Sequence, residues 1–126
     1  MVEVEGLRIY GSPWQPTFHN WAFNLERGAA IKEKWDKIPN NVDILVTHGP
    51  PKFHGGVTFD GEDVGCEDLL QAVQRRVKPL IHIFGHIHEG YGATLDENTV
   101  YINASNCTVD YRTTNKPIVV DVLIDR

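Results

Sequence analysis

Cysteine is scarce: only Cys66 and Cys107 occur among the 126 residues. Two thiols make no disulfide framework, so a reduced, cytoplasmic setting is the expectation. No apolar run approaches the ~18 residues that a membrane span needs, and no membrane partner is expected. The opening Met1-Val-Glu-Val-Glu5 is acidic and alternating, unlike the basic-then-apolar start of a signal peptide. Basic charge is short as well. A formal net charge of −5 argues against a surface built to neutralise phosphates, so no nucleic-acid polymer is expected as partner. The one basic cluster, Arg75-Arg76 with Lys78, reads as solvated surface. Lys32, Lys34 and Lys37 alternate with Glu33 and Asp36 and read as a solvated helix face. Asn103-Ala-Ser105 and Asn106-Cys-Thr108 match the N-glycosylation pattern, but without a secretion signal both count as chance.

The remaining composition is that of an ordinary globular chain, 41% hydrophobic and 23% charged. Its length suits one domain with a modest core. Val2, Val4, Leu7 and Ile9 around Glu5-Gly6 predict a hairpin or bent strand. Gly11 to Pro16 breaks it, because two prolines forbid a helix interior there. Trp14, Phe18, Trp21 and Phe23 then crowd a loop, and a packed loop is the preferred reading over a ligand-stacking wall.

Arg27 to Lys37 predicts a helix, with Ile31, Trp35 and Ile38 on one stripe and Pro39 as its stop. Val42 to Thr47 is β-branched and predicts a strand, ended by His48-Gly-Pro-Pro51. Lys52 to Gly65 holds Gly55, Gly56, Gly61 and Gly65 and predicts a long irregular loop, of a kind often functional. Cys66, Leu69, Leu70, Val73 and Val77 form the stripe of a second helix, ended by Pro79. Leu80 to Phe84 is almost wholly apolar, as in a sheet interior. Val100 to Asn103 and Ile118 to Ile124 predict two more strands, paired antiparallel. The fold class is therefore α/β: a layered mixed β-sheet with flanking helices, and a right-handed parallel crossover at its centre.

Six histidines occur. His48 follows one predicted strand, and His86 and His88 follow the next in the crossover. Both strands then end on the same edge of the sheet, the edge where open α/β sheets bind ligands. The crossover thus brings His48 close to His86 and His88. Neutral imidazole is a common metal ligand, and Zn, Mn, Fe and Ni all suit it. Gly49 would let backbone approach a metal closely, and Gly85 would permit the turn out of the strand. Asp63, Glu67 and Glu89 are unranked candidates to fix the imidazole tautomers. His82, inside an apolar strand, reads as a core histidine. His19 and His54 read as ordinary loop residues.

Thr47-His48-Gly49-Pro50-Pro51 and Phe84-Gly85-His86-Ile87-His88-Glu89-Gly90-Tyr91-Gly92 resemble the last two metal motifs of the calcineurin-like metallophosphoesterases. Ile9 to Trp14, Trp21 to Leu25, Val64 to Cys66, Val73 to Val77, Tyr101 to Ser105 and Asn115 to Ile118 are similar to the metallophosphoesterase-domain-containing branch. The resemblance implies that residues 1–126 are a single, partial metallophosphoesterase domain, the C-terminal half of a two-sheet sandwich. It implies a divalent metal (Mn, Fe, Zn or Ni), with His48 and His86 on one ion and His88 on a second. It also implies hydrolysis of a phosphodiester, such as a cyclic nucleotide, by a metal-held hydroxide. Family motifs that precede these two supply Asp-x-His, a bridging aspartate after glycine, and a catalytic histidine after Gly-Asn. No Asp-x-His, Gly-Asp or Asn-His occurs in this sequence.

Two consequences are expected. The chain alone is inactive and acts with an N-terminal-half partner chain, or else it is a non-catalytic assembly or binding protein with a vestigial or single-metal histidine site. A sheet lacking its partner sheet also leaves apolar surface open, so self-association is expected, for example by strand exchange.

Overall fold

The computed structural model of the protein describes residues 1–124. Strand β1 (Val2–Val4) turns back into β2 (Leu7–Ser12) and pairs with it antiparallel. Glu5 (φ 51°) and Gly6 (φ 81°) are both left-handed, which a two-residue hairpin turn of matching twist requires. The hairpin reading of this segment therefore holds. Short strands β3 (Gln15–Pro16) and β4 (Asn24–Leu25) pair only with each other and fold the aromatic loop.

Helix α1 (Ala29–Trp35) buries Ile31 and Trp35 on the predicted stripe. Strand β5 (Ile44–Thr47) follows. Helix α2 (Glu67–Ala72) buries Leu69 and Leu70 and runs on as a π-helical turn over Val73–Val77, which ends at left-handed Lys78 before Pro79. Its first turn carries Glu67 and Asp68, the charge sign favoured at a helix N-terminus. Strands β6 (Ile81–Phe84), β7 (Gly92–Leu95) and β8 (Val100–Asn103) complete the main sheet.

That sheet has six strands in the order β1-β2-β5-β6-β8-β7. β2, β5, β6 and β8 run parallel, and β1 and β7 are antiparallel edges. The architecture is thus α/β with a mixed sheet. Tyr10, Leu45, His82 and Tyr101 lie in one cross-strand row. Leu45 and Tyr101 join Ile31, Trp35, Ile38, Leu69, Val73 and Val77 in one core cluster, so both helices cover that face. Residues one step along each strand point the other way. There Val46 is 39% exposed, although Ile81 and Ile102 are buried.

Several expectations change. Arg76 is not solvated surface. Its guanidinium donates to Trp35 O (3.0 Å) and Ile38 O (2.6 Å), which satisfies carbonyls at the open end of α1. No strand forms over 118–124, because a strand exists only where a neighbour accepts its backbone hydrogen bonds. The antiparallel partner of β8 is instead β7, a segment absent from the sequence reading. Residues 118–124 keep the alternation of a strand without the ladder: Val119 is 87% exposed and Leu123 94%, against 37% for Val120. Asn103 is 1% exposed, which removes the first glycosylation pattern from reach. No helix among the described residues is long and apolar enough to cross a membrane. Both cysteines are free.

Candidate functional site

β5 and β6 are parallel neighbours, so His48 and His86 leave the sheet on one edge. The Gly85 amide donates to the His48 carbonyl (2.9 Å), one bond beyond the ladder, and holds the two exits side by side. The two imidazole rings are 4.7 Å apart between centroids and tilted 43°. The structure thus brings His48 and His86 together.

The sharp turn falls on His86 and not on Gly85. His86 is left-handed (φ 70°), a conformation that costs a non-glycine residue energy and persists only where surroundings enforce it. Gly49 needs no glycine for close approach, since a Cβ there would meet only His86 Cδ2, at 3.9 Å. His88 opens a single 3-10 turn, His88–Gly90. Its Nδ1 lies 3.1 Å from the Thr108 carbonyl. A carbonyl can only accept, so Nδ1 carries the proton and Nε2 keeps its lone pair. The expected carboxylate partners do not take this role. Asp63 accepts from Phe53 and Gly65 amides, and Glu89 from the Phe59 amide, all within loop 52–65 or beside it. Glu67 is exposed at the start of α2.

Burial, with the charges of His48 and His88 behind it, pulls the His86 pKa down to about 4. Burial also lowers His48. His86 is therefore neutral at pH 7, the state in which imidazole donates a lone pair. Below the site, His82 is fully buried, as expected. Thr47 Oγ1 donates to the Gly49 carbonyl (2.8 Å), so it accepts from His82 Nε2–H (2.9 Å). His82 Nδ1 then has no partner, and burial, aided by His54, drives its pKa down to about 3. His54 stacks on Tyr101 (3.7 Å, 12°) and sits apart from the site. His19 packs edge-on against Phe18 (4.3 Å).

The three strand-end histidines open on a cleft of about 640 Å³ that is also lined by Phe18, Trp21, Phe59, Tyr111 and the carboxylates of Asp60, Glu62 and Glu89. The packed-loop reading of the aromatics holds only for Trp14, which packs on the core. Phe18 and Trp21 are 37% and 57% exposed and meet His86 edge-on at 4.9 and 6.2 Å. Sequence spacing gave no sign of this, because the β3–β4 pair that swings the loop over the histidines is only two residues long.

The fit to a metal is partial. His48 and His86 supply two adjacent neutral imidazoles, the donor chemistry of two coordination positions. Among the described residues, however, no three His, Cys, Asp or Glu side chains group closely enough to hold a metal ion.

Over 122 residues the chain is 59% identical to the human metallophosphoesterase domain-containing protein 1, a match covering 96% of this chain and 37% of that protein. Its relatives include metallophosphoesterase-domain proteins. It is also 48% identical over 122 residues to a UPF0046 protein of Caenorhabditis elegans, covering 97% of this chain and 31% of the relative. A second nematode UPF0046 protein is 41% identical over 124 residues, 95% of this chain and 44% of that protein. The chain thus spans less than half the length of these relatives. No protein-family model matches it.

Proposed function

We propose that this chain belongs to the metallophosphoesterase-domain-containing branch and supplies the histidine half of a metal-dependent phosphodiesterase site. The observation that carries this reading is the meeting of His48 and His86 at 4.7 Å on one sheet edge, with His88 on the same cleft. In this reading residues 1–126 are one partial domain, the C-terminal half of the family sandwich. His48 and His86 hold one divalent ion (Mn, Fe, Zn or Ni), and His88 contributes to a second. When bound, such ions polarise a phosphoryl oxygen and make water nucleophilic near neutral pH.

The chain's own residues do the rest. His88 presents Nε2 because Thr108 holds its other nitrogen. Asp60, Glu62 and Glu89 line the cleft and, among the described residues, no Lys or Arg does, so this lining repels a phosphodiester unless cations are present. Phe18, Trp21 and Tyr111 offer ring faces and edges for an apolar or planar part of the ligand, which favours a nucleotide phosphodiester.

The donor set among the described residues is incomplete, so in this reading residues 1–126 alone do not hydrolyse phosphodiesters and act only with the N-terminal half of the family domain, supplied by the same protein or by another chain. A second reading, a non-catalytic assembly or binding protein, is favoured by the lack of a three-ligand group among the described residues. In either reading the half-exposed face around Val46 is the surface through which copies or partners associate.

The test is metal binding by titration calorimetry with Mn²⁺ and Zn²⁺, for wild type, His48→Ala and His86→Ala, followed by turnover of a chromogenic phosphodiester. Binding of about one ion per chain, lost in both variants, supports the half-site. Addition of the remaining segment of the relatives should then produce metal-dependent turnover. A completed domain that binds metal but never turns over substrate leaves the non-catalytic reading.

A further inference from the structure

Asn103 ends β8 on the helix-covered side of the sheet, 1% exposed. Its amide uses both ends. Nδ2 donates to Ile87 O (2.7 Å) and to Gly55 O (3.0 Å). Oδ1 accepts from the Ser105 amide (3.1 Å) and the Ser105 hydroxyl (2.8 Å). One buried side chain therefore ties together the glycine-rich loop, the segment after β8, and the peptide between His86 and His88.

The Ile87 carbonyl lies between the two histidines in the chain, directly after the left-handed backbone of His86 (φ 70°). The same carbonyl accepts the Gly90 amide (3.0 Å), which closes the turn that carries His88. The loop backbone presses on this turn from the other side, since a Cβ on Gly90 would sit 2.0 Å from Gly55 O. Ile87 O is thus the point at which the backbone carrying both imidazoles is held. A left-handed non-glycine residue needs such an anchor, or it relaxes to the right-handed region.

We infer that Asn103 is the positioning residue of the His86–His88 turn. Its Nδ2–H, not its size, fixes the spacing of the two imidazoles. The value of that spacing to catalysis rests on the proposed metal site, but the geometry does not.

Amide hydrogen exchange of Gly90, measured by NMR on the metal-free chain, tests this. Asn103→Leu keeps the shape and removes the donor. It should raise Gly90 exchange about tenfold relative to the ladder amides of β5 and β6. Asn103→Asp, which keeps the acceptor toward Ser105 and loses the donor, should do the same. Ser105→Ala leaves the donor intact and should leave Gly90 unchanged. If the Asn103→Leu chain does not fold, Asn103→Ala takes its place. The inference is overturned if Gly90 is unchanged, if it speeds up only in step with the ladder, or if Ser105→Ala matches Asn103→Leu. The readout needs neither metal nor turnover, so its failure leaves the metallophosphoesterase reading standing, and failure of that reading leaves this one.

Discussion

The two faces of the main sheet have unlike chemistry. On the helix side, Leu45, His82 and Tyr101 are at most 1% exposed, and Leu45 and Tyr101 share one core cluster with residues of both helices. On the other side, Val46 stands 39% exposed between Gly11 of β2 and Ile83 of β6. The first face defines what this chain can fold around by itself. The second leaves Val46 open to solvent. Both faces come from the same strands, so alternation along a strand fixes which residues share a face and not what covers it.

Truncations should separate the faces most sharply. Trp35→Ala should cost about 3–5 kcal/mol in urea unfolding, since Trp35 is 1% exposed in the helix-side core. Next in size is Asp43→Ala. Asp43 accepts from the Arg8 amide (2.8 Å), Nε (3.1 Å) and Nη2 (3.2 Å), and this contact joins β2 to the start of β5. Its loss should cost about 2–3 kcal/mol, because the arginine loses its partner while the strands still pack.

A pH effect of intermediate size follows from His82. Its folded pKa of about 3 lies below the unfolded value of 6.5. The unfolded chain therefore takes up a proton first as pH falls. The full contribution of neutral His82 is present above pH 6.5 and is lost progressively toward pH 3. Between pH 6.5 and 5 the loss from His82 should be about 2 kcal/mol, and His82→Leu should remove that share of the slope while the share of His86, whose pKa also falls to about 4, remains. An equal slope in the variant would place the titration elsewhere.

The smallest stability effect belongs to the open face. Val46→Ala should change stability by under about 1 kcal/mol. Val46→Asp at the same position should shift any associated species toward monomer in sedimentation. Association unchanged by Val46→Asp would move the contact surface away from this face.

The legible parts of the fold share one property, periodicity over several residues. The stripes Ile31-Trp35-Ile38 and Leu69-Val73-Val77 are buried as spaced. The β5–α2–β6 crossover follows from element order, and with it the neighbourhood of His48 and His86. Illegible parts depend on a single distant partner. Segment 118–124 alternates like a strand yet forms none, whereas Gly92–Leu95, exposed over most of its length, becomes β7 because β8 offers it a free edge. The tautomer of His88 is set by a carbonyl of Thr108, and the orientation of Ile87 by Asn103, and no local pattern announces either.

By itself the sequence determined the α/β class, the two helices and the edge on which His48, His86 and His88 gather. Hydrophobic period and the rule of parallel crossovers suffice for that. Tertiary structure alone decided that His86 takes the left-handed turn, that Phe18 and Trp21 face the cleft, and that Asn103 bonds the peptide between the histidines. These outcomes depend on contacts between residues far apart in the chain, and such contacts exist only after the sheet has closed.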